Sequence, residues 1–294
     1  MRVSDGMLQN LAQRSIETAR EKAATASSVA SSGVRVHKPS DDPAAHALAR
    51  RESARESTAR ASERTADLGL SLTAGADDAL AGVGEALSRA RELAVQMSNG
   101  TLTATERAAG AHEARQLRAE IAGLANTEVE GVHVFAGYRD AAPPFDVATG
   151  AYSGDGAVRQ LEVTPFLRLP VGVSGATTFG AGTGTDVLAT LDAMATALDA
   201  NDVAGVRSGI DALDASADQV NDARAQLGAQ MRSFEGARVG AQVAQDRGAA
   251  TRARLVEADP YRAYSDLANA ERALEAAVTV AARLPFPGLI GRGG

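Results

Sequence analysis

Val206, Ile210, Leu213, Ala217, Val220, Arg224, Leu227, Met231, Phe234 and Arg238 follow one another at alternating spacings of four and three, without a slip. That repeat keeps one stripe on one side of an α-helix, and a stripe of this composition needs other helices to cover it. The spacing predicts a helix from Asp202 to Ala258, stopped or kinked by Pro260. A partner stretch lies upstream. From Pro43 to Met97 strong breakers are scarce, and Leu80, Val83, Leu87, Ala90, Ala94 and Met97 repeat the same spacing. Asn99-Gly100 breaks the pattern, and Thr103-Ala-Thr-Glu106 has the form of a capping box that starts a further helix with the seam Gly110, Ala114, Leu117, Ile121 and Leu124. These two helices are expected to fold back as an antiparallel hairpin.

Between the helical halves the composition changes. VHVFAGY, AYSGD and VRQLEVTPFLRLPVGVSG are rich in Val, Phe, Tyr and Thr, with Gly and Pro between them, and predict short strands and hairpins. The run FGAGTGTD at 179–186 lacks the Gly-Lys-Ser/Thr of a phosphate loop and departs from the dinucleotide fingerprint, so it reads as a return linker. The fold class is therefore mainly α with a small β insert, a long antiparallel coiled-coil bundle built from both halves of the chain. The expected domains are 1–40 with 259–294 as a terminal coiled coil, 41–130 with 185–258 as the helical core, and 131–184 as a separate β module.

Composition narrows the function. There is no Cys and no Trp, and 3% of the residues are aromatic. That excludes thiolate catalysis, disulfides and cysteine-ligated metals, and leaves few large side chains to line a substrate pocket. A net charge of −7 argues against nonspecific nucleic-acid binding. No apolar run is long enough for a membrane span, and the start MRVSDGMLQNLAQRS lacks the h-region of a Sec signal.

His37-Lys-Pro-Ser-Asp-Asp-Pro-Ala-Ala-His46 is the strongest candidate for chemistry. Two carboxylates between two histidines could ligate a metal ion. Proline at the first helical turn and aspartate before it explain the same residues as a helix start, with Asp42 as N-cap and Pro43 at N1. His37 precedes Pro39 in an extended segment with no fixed relation to the carboxylates. The helix start is the favoured reading, and no metal or cofactor is expected. His112 and His133 have no acidic or histidine partners at ligand spacing, and Asn99-Gly-Thr101, a glycosylation pattern, reads as a turn.

Taken together, SSGVRVHKPSDDPAA (31–45), MRVS (1–4), NGTLTATER (99–107), VFAGY (134–138), PFDVATGAYSGD (144–155) and EADPYRAYSDLANAERALEAAVTVAARL (257–284) resemble the flagellin superfamily, and within it the branch that joins hook to filament. The resemblance spans nearly the whole chain and includes the Pro39, Ser40, Asp41, Asp42, Pro43 motif. Its tail differs, because GRGG follows PFPGLI. It implies a structural, secreted protein exported unfolded by the flagellar type III apparatus, with an export chaperone, further copies of itself, the first junction protein on the hook and flagellin as partners. The β insert would face outward. A filament flagellin is an alternative that shares the terminal plan. A hydrolase using His37, Asp41, Asp42 and His46, and a coiled-coil scaffold inside the cell, are alternatives from other classes.

On this reading the assembly seam is Leu8, Ala12, Ser15, Ala19, Lys22, Ala26 and Val29 in the first segment, with Leu267, Ala270, Leu274, Ala277, Ala281 and Leu284 in the last. Both segments are expected to be disordered in a free monomer and to order as paired helices on assembly.

Overall fold

The computed structural model describes residues 5–182 and 184–283. Its order is α1 (Asp5–Ser32), α2 (Pro43–Met97), α3 (Ala104–Leu124), β1 (Glu128–Val129), β2 (Val132–His133), β3 (Arg159–Thr164), β4 (Leu167–Val171), α4 (Gly175–Thr178), α5 (Val187–Asp199), α6 (Val203–Val256) and α7 (Pro260–Arg283). The chain is mainly helical, with two antiparallel two-stranded pieces, β1 with β2 and β3 with β4. It forms two compact units, Met1–Ser57 with Ala244–Gly294, and Thr58–Val243. The terminal pieces thus reach further inward than the expected limits at 40 and 259.

In the unit Thr58–Val243, the heptad positions of α2 are buried from Leu80 through Val83, Leu87, Ala90 and Ala94 to Met97. Thr103 caps α3 with a complete capping box, its hydroxyl accepting from Glu106 N–H while the Glu106 carboxylate accepts from Thr103 N–H at 2.6 Å. Leu117 and Ile121 face the core, and Leu124 packs half-buried against it. From α6, Val206, Leu213, Val220 and Leu227 enter the same core, with Ile210 packed half-buried at its side. Phe234 is fully buried in a second cluster with Ala66 and Leu72. Met231 differs from the expectation. It is half-buried and belongs to neither cluster.

Phe234 has room because its neighbour on α2 is Gly69, where an added Cβ would lie 2.3 Å from the ring. The long helices run antiparallel within this unit. Asp77 pairs with Arg224 at 3.0 Å, and Gln242 donates to Glu63 at 3.0 Å, so rising numbers on α2 meet falling numbers on α6.

The β segment is not a separately cored module, in contrast to the expected domain 131–184. Phe135 and Phe145 each meet Phe179 edge-on, with ring centroids 5.3 and 5.0 Å apart, inside the cluster that also holds Leu80, Ile121 and Leu191. Val163 and Val171 of the β3–β4 hairpin join the Phe234 cluster. Few aromatics are present, and the helices need those three to fill their own core. Polar side chains fix the segment further. Asn126 holds both backbone groups of Phe145 at 2.8 Å, and the Gln219 amide donates to Thr178 O and Thr185 O at 2.9 and 3.1 Å.

Helix α5 fills the stretch between the expected linker at 179–186 and the helix expected from Asp202. Asp186 caps it, accepting from Ala189 N–H at 2.9 Å, and Val187, Leu188, Leu191, Met194, Ala195 and Leu198 bury its inner face. The turn into α6 uses Asn201 in the left-handed region, φ 54°.

Candidate assembly site

The unit of the two chain ends is built around one short loop. Gly33, with φ +69°, ends α1 and turns the chain alongside the end of α6. There Val34 forms an antiparallel bridge with Glu257, Arg35 N–H donates to Val256 O at 2.7 Å, and Ala258 N–H donates to Gly33 O at 2.8 Å. Val36 is buried under this crossing.

The PSDDP motif follows. Asp41 folds back, its Oδ2 accepting the N–H groups of His37 at 2.9 Å and Lys38 at 2.8 Å. Asp42 Oδ1 accepts Ala45 N–H at 2.9 Å, which makes it the cap of α2, while Pro43 fills the first helical position. Arg35 reaches Asp42 Oδ2 at 3.4 Å and Leu255 O at 2.9 Å, so one side chain ties the start of α2 to the end of α6.

Both carboxyls are held below the usual aspartate range. For Asp41 the causes are the N–H groups of Lys38 and then His37; for Asp42 they are the N–H of Ala45 and, more weakly, Arg35. His37 Nε2 lies 3.2 Å from Ser32 Oγ rather than beside a carboxylate. Of the four residues of the hydrolase alternative, Asp41 and Asp42 are thus engaged in turn and cap contacts and His37 lies against Ser32. Among the described residues no group of three or more His, Cys, Asp or Glu gathers as a metal site, and no helix is long and apolar enough to cross a membrane.

A second Asp-Pro start opens the last helix. Asp259 Oδ1 accepts Arg262 N–H at 3.2 Å, and Pro260 begins α7. Helices α1 and α7 pack against each other in antiparallel sense. Thr25 and Val29 share a groove with Asp259 and Ala263, whereas Leu11 and Ser15 share one with Ala273 and Ala277. On α7 the half-buried stripe is Leu267, Ala270, Leu274, Ala277 and Ala281, with Ala263 fully buried; Leu284 lies outside the described residues.

On α1 the stripe has a different phase from the expected one. Ala12, Ile16, Ala19, Ala23, Ala26, Val29 and Ala30 are half-buried, while Ser15 and Lys22 are exposed and Leu8 is 40% exposed. Stepping four rather than three residues from Ala12 selects Ile16 and Ala23, which keeps the apolar side chains together. Met7, Leu11, Tyr261, Tyr264 and Val280 are left exposed on this helix pair.

Residues 3–140 match the family model for the bacterial flagellin N-terminal helical region. The flagellar hook-associated protein 3 of Escherichia coli K12 is 29% identical over 261 residues, covering 80% of this chain and 81% of that protein. The family model thus covers a little under half of this chain, and the likeness to the hook-associated protein runs along most of it. The flagellar hook-associated protein 3 of Salmonella typhimurium is 32% identical over 183 residues, 61% of this chain, and the match spans 57% of its length. A solved flagellar hook-associated protein from Vibrio parahaemolyticus shares the fold, with a TM-score of 0.68 at 20% identity, over 74% of this chain and all of that one.

Proposed function

We propose that this chain is a structural subunit of the bacterial flagellum that joins the hook to the flagellin filament. The observation that carries the reading is the antiparallel pairing of the two chain ends, α1 with α7, which leaves Met7, Leu11, Tyr261 and Val280 uncovered. Apolar side chains on a helix pair are surfaces for neighbouring copies. A joint that continues a helical lattice needs such contacts to be head-to-tail, since a closed interface would end growth. The first junction protein on the hook lies on one side and flagellin on the other. An export chaperone holds the chain before secretion, and the half-buried stripes of α1 and α7 are the assembly seam.

Likeness to the two hook-associated relatives supports this reading over a filament subunit. The flagellin model accounts for residues 3–140, whereas the alignment with the Escherichia coli hook-associated protein runs over 261 residues. Deleting the gene in its own organism tests the proposal. The expected result is intact hooks, flagellin shed into the medium and loss of swimming, all restored by the intact chain. Normal filaments on the deletion strain overturn it.

A further inference from the structure

The turn between α2 and α3 carries Asn99-Gly100, the one Asn-Gly pair in the sequence. Leu102 N–H donates to Asn99 O at 3.3 Å, which places Gly100 and Thr101 at the two central positions of the turn. The side-chain carbonyl of Asn99 accepts two hydrogen bonds, from Thr101 N–H at 3.2 Å and from Thr101 Oγ1 at 3.0 Å. Among the described residues the backbone N–H of Gly100 donates to no acceptor, and a Cβ added there would meet nothing within 4 Å. Asn99 is itself exposed. A carbonyl polarised by two donors, beside an open and unengaged amide nitrogen in water, is arranged for intramolecular attack.

We propose that Asn99 is a site of spontaneous deamidation, and that its conversion weakens the anchoring of the α2–α3 turn on Arg107. Hydroxide takes the proton of Gly100 N–H, and that nitrogen bonds to Asn99 Cγ. The negative charge moves onto Oδ1, where the two Thr101 donors stabilise it. As the carbonyl re-forms, the Cγ–Nδ2 bond breaks and the side-chain nitrogen leaves as ammonia with a proton from water. The cyclic imide then adds water. Opening at one carbonyl yields aspartate; opening at the other yields isoaspartate, whose backbone runs through the former side chain. Water is the sole co-reactant, and no electrons change hands.

The consequence lies in what Asn99 holds. Arg107 is 3% exposed, and its guanidinium donates to Asn99 O at 2.8 Å, Leu102 O at 2.9 Å and Met97 O at 3.1 Å, and also to the Asn201 side chain. In isoaspartate the chain runs on through Cγ, and the carbon that carried Asn99 O becomes a free carboxylate off the main chain, so Arg107 no longer grips the turn through its backbone there and the path from Met97 O to Leu102 O is one atom longer. Aged protein should therefore melt at a lower temperature than fresh protein.

The test follows the tryptic peptide Glu92–Arg107 from the full folded chain by mass spectrometry at neutral and alkaline pH. The expected result is an exchange of NH for O at Asn99 that quickens with pH and runs at least about tenfold faster than at Asn126 or Asn221. Gly100→Ala should slow it by about tenfold or more. Thr101→Val, with its helical melt checked, should slow it in the folded chain but not in the free peptide, because the hydroxyl donor acts only in the folded turn. An Asn99 that converts more than about tenfold slower in the folded chain than in the free peptide, or that is indifferent to Thr101→Val, overturns the proposal.

Discussion

Arg35 and Asp42 are joined at 3.4 Å across the loop that turns α1 into α2, and the same guanidinium holds the Leu255 carbonyl near the end of α6. The contact explains why the motif needs its second aspartate. Asp41 closes the loop onto the His37 and Lys38 amides, whereas Asp42 caps the helix and receives the arginine. Two carboxylates that look like a ligand pair in sequence have separate backbone partners in the fold.

Asp42→Ala should destabilise the chain by about 0.5 to 2 kcal/mol, the usual range for a lost cap. Asp42→Asn should recover most of that, since an amide oxygen can accept the same N–H. Replacing His37 and His46 together by alanine should leave the denaturant midpoint within about 0.5 kcal/mol of the parent, as for ordinary surface positions. Loss of a bound metal in the double histidine variant would contradict the cap reading.

The same two carboxyls set a pH dependence. Their folded pKa values lie below the ordinary aspartate value of about 3.9. A depressed folded value adds stability that is fully present above the unfolded pKa and is lost as pH falls through the folded one. Between pH 7 and 5 these groups should therefore leave the melting temperature flat, and below about pH 4 they should lower it. An Asp41→Asn, Asp42→Asn variant should show a shallower acid fall. An equally steep fall would show that other carboxyls, such as Glu106 and Asp146, carry the effect.

Gly69→Ala is a case where magnitudes decide the sign. Alanine favours a helix interior over glycine by about 1 kcal/mol. The new Cβ would stand 2.3 Å from the fully buried Phe234 ring, and overpacking costs about 1 to 3 kcal/mol. The net change should be destabilising, and Phe234→Leu in the same chain should relieve it. Denaturant midpoints of the two single variants and the double variant give the comparison.

How much of this was legible depended on the kind of signal. The α2 and α6 seams were readable because Leu80, Leu87, Leu213 and Leu227 recur at a period that few other structures produce. Helix α5 was not, because it is short and follows a Gly/Thr run, although Asp186 and the spacing of Leu188, Leu191 and Leu198 mark it afterwards. Arg107 and Arg118 were missed for another reason. A charged side chain on a helix reads as solvated, yet Arg118 is buried and donates to Val147 O, Ala148 O and Asp192, pinning the β segment to α3 and α5. Only the tertiary fold brings those carbonyls to it.

The β segment supplies core to the helices, so excising residues 131–184 with a short linker should abolish the cooperative helical melt of the unit Thr58–Val243. Phe135→Ala should cost about 3 to 5 kcal/mol, the range for a deleted buried aromatic. Phe166, 99% exposed at the tip of the β3–β4 hairpin, is the control, and Phe166→Ala should leave the melt unchanged. A cooperative melt after excision would show that the aromatic cluster is dispensable.

The chain ends should be the first part lost from a monomer in solution. Ordering a residue costs about 1 to 2 kcal/mol of backbone entropy, and the α1–α7 pair has little apolar burial to offset it. Among the described residues of α7 only Ala263 is buried, and no described side chain of α1 is. The facing stripes are mostly alanine, with Ile16, Val29, Leu267 and Leu274 as the larger members, and each is half-covered. Neighbouring copies would complete the burial, so that ordering and assembly become one event. Trypsin has exposed sites on both helices at Arg14, Arg20, Lys22, Arg262 and Arg272. Brief digestion of the monomer should therefore leave a core beginning near Pro39 and ending near Pro260, held by the Arg35 loop contacts until that stage. The trimmed core should keep its cooperative melt and fail to restore swimming to the deletion strain. Leu267→Asp with Leu274→Asp should give the same loss in the full chain without changing that melt. Resistance of either end in the monomer, or normal filaments from the trimmed core, would refute the coupling of order to assembly.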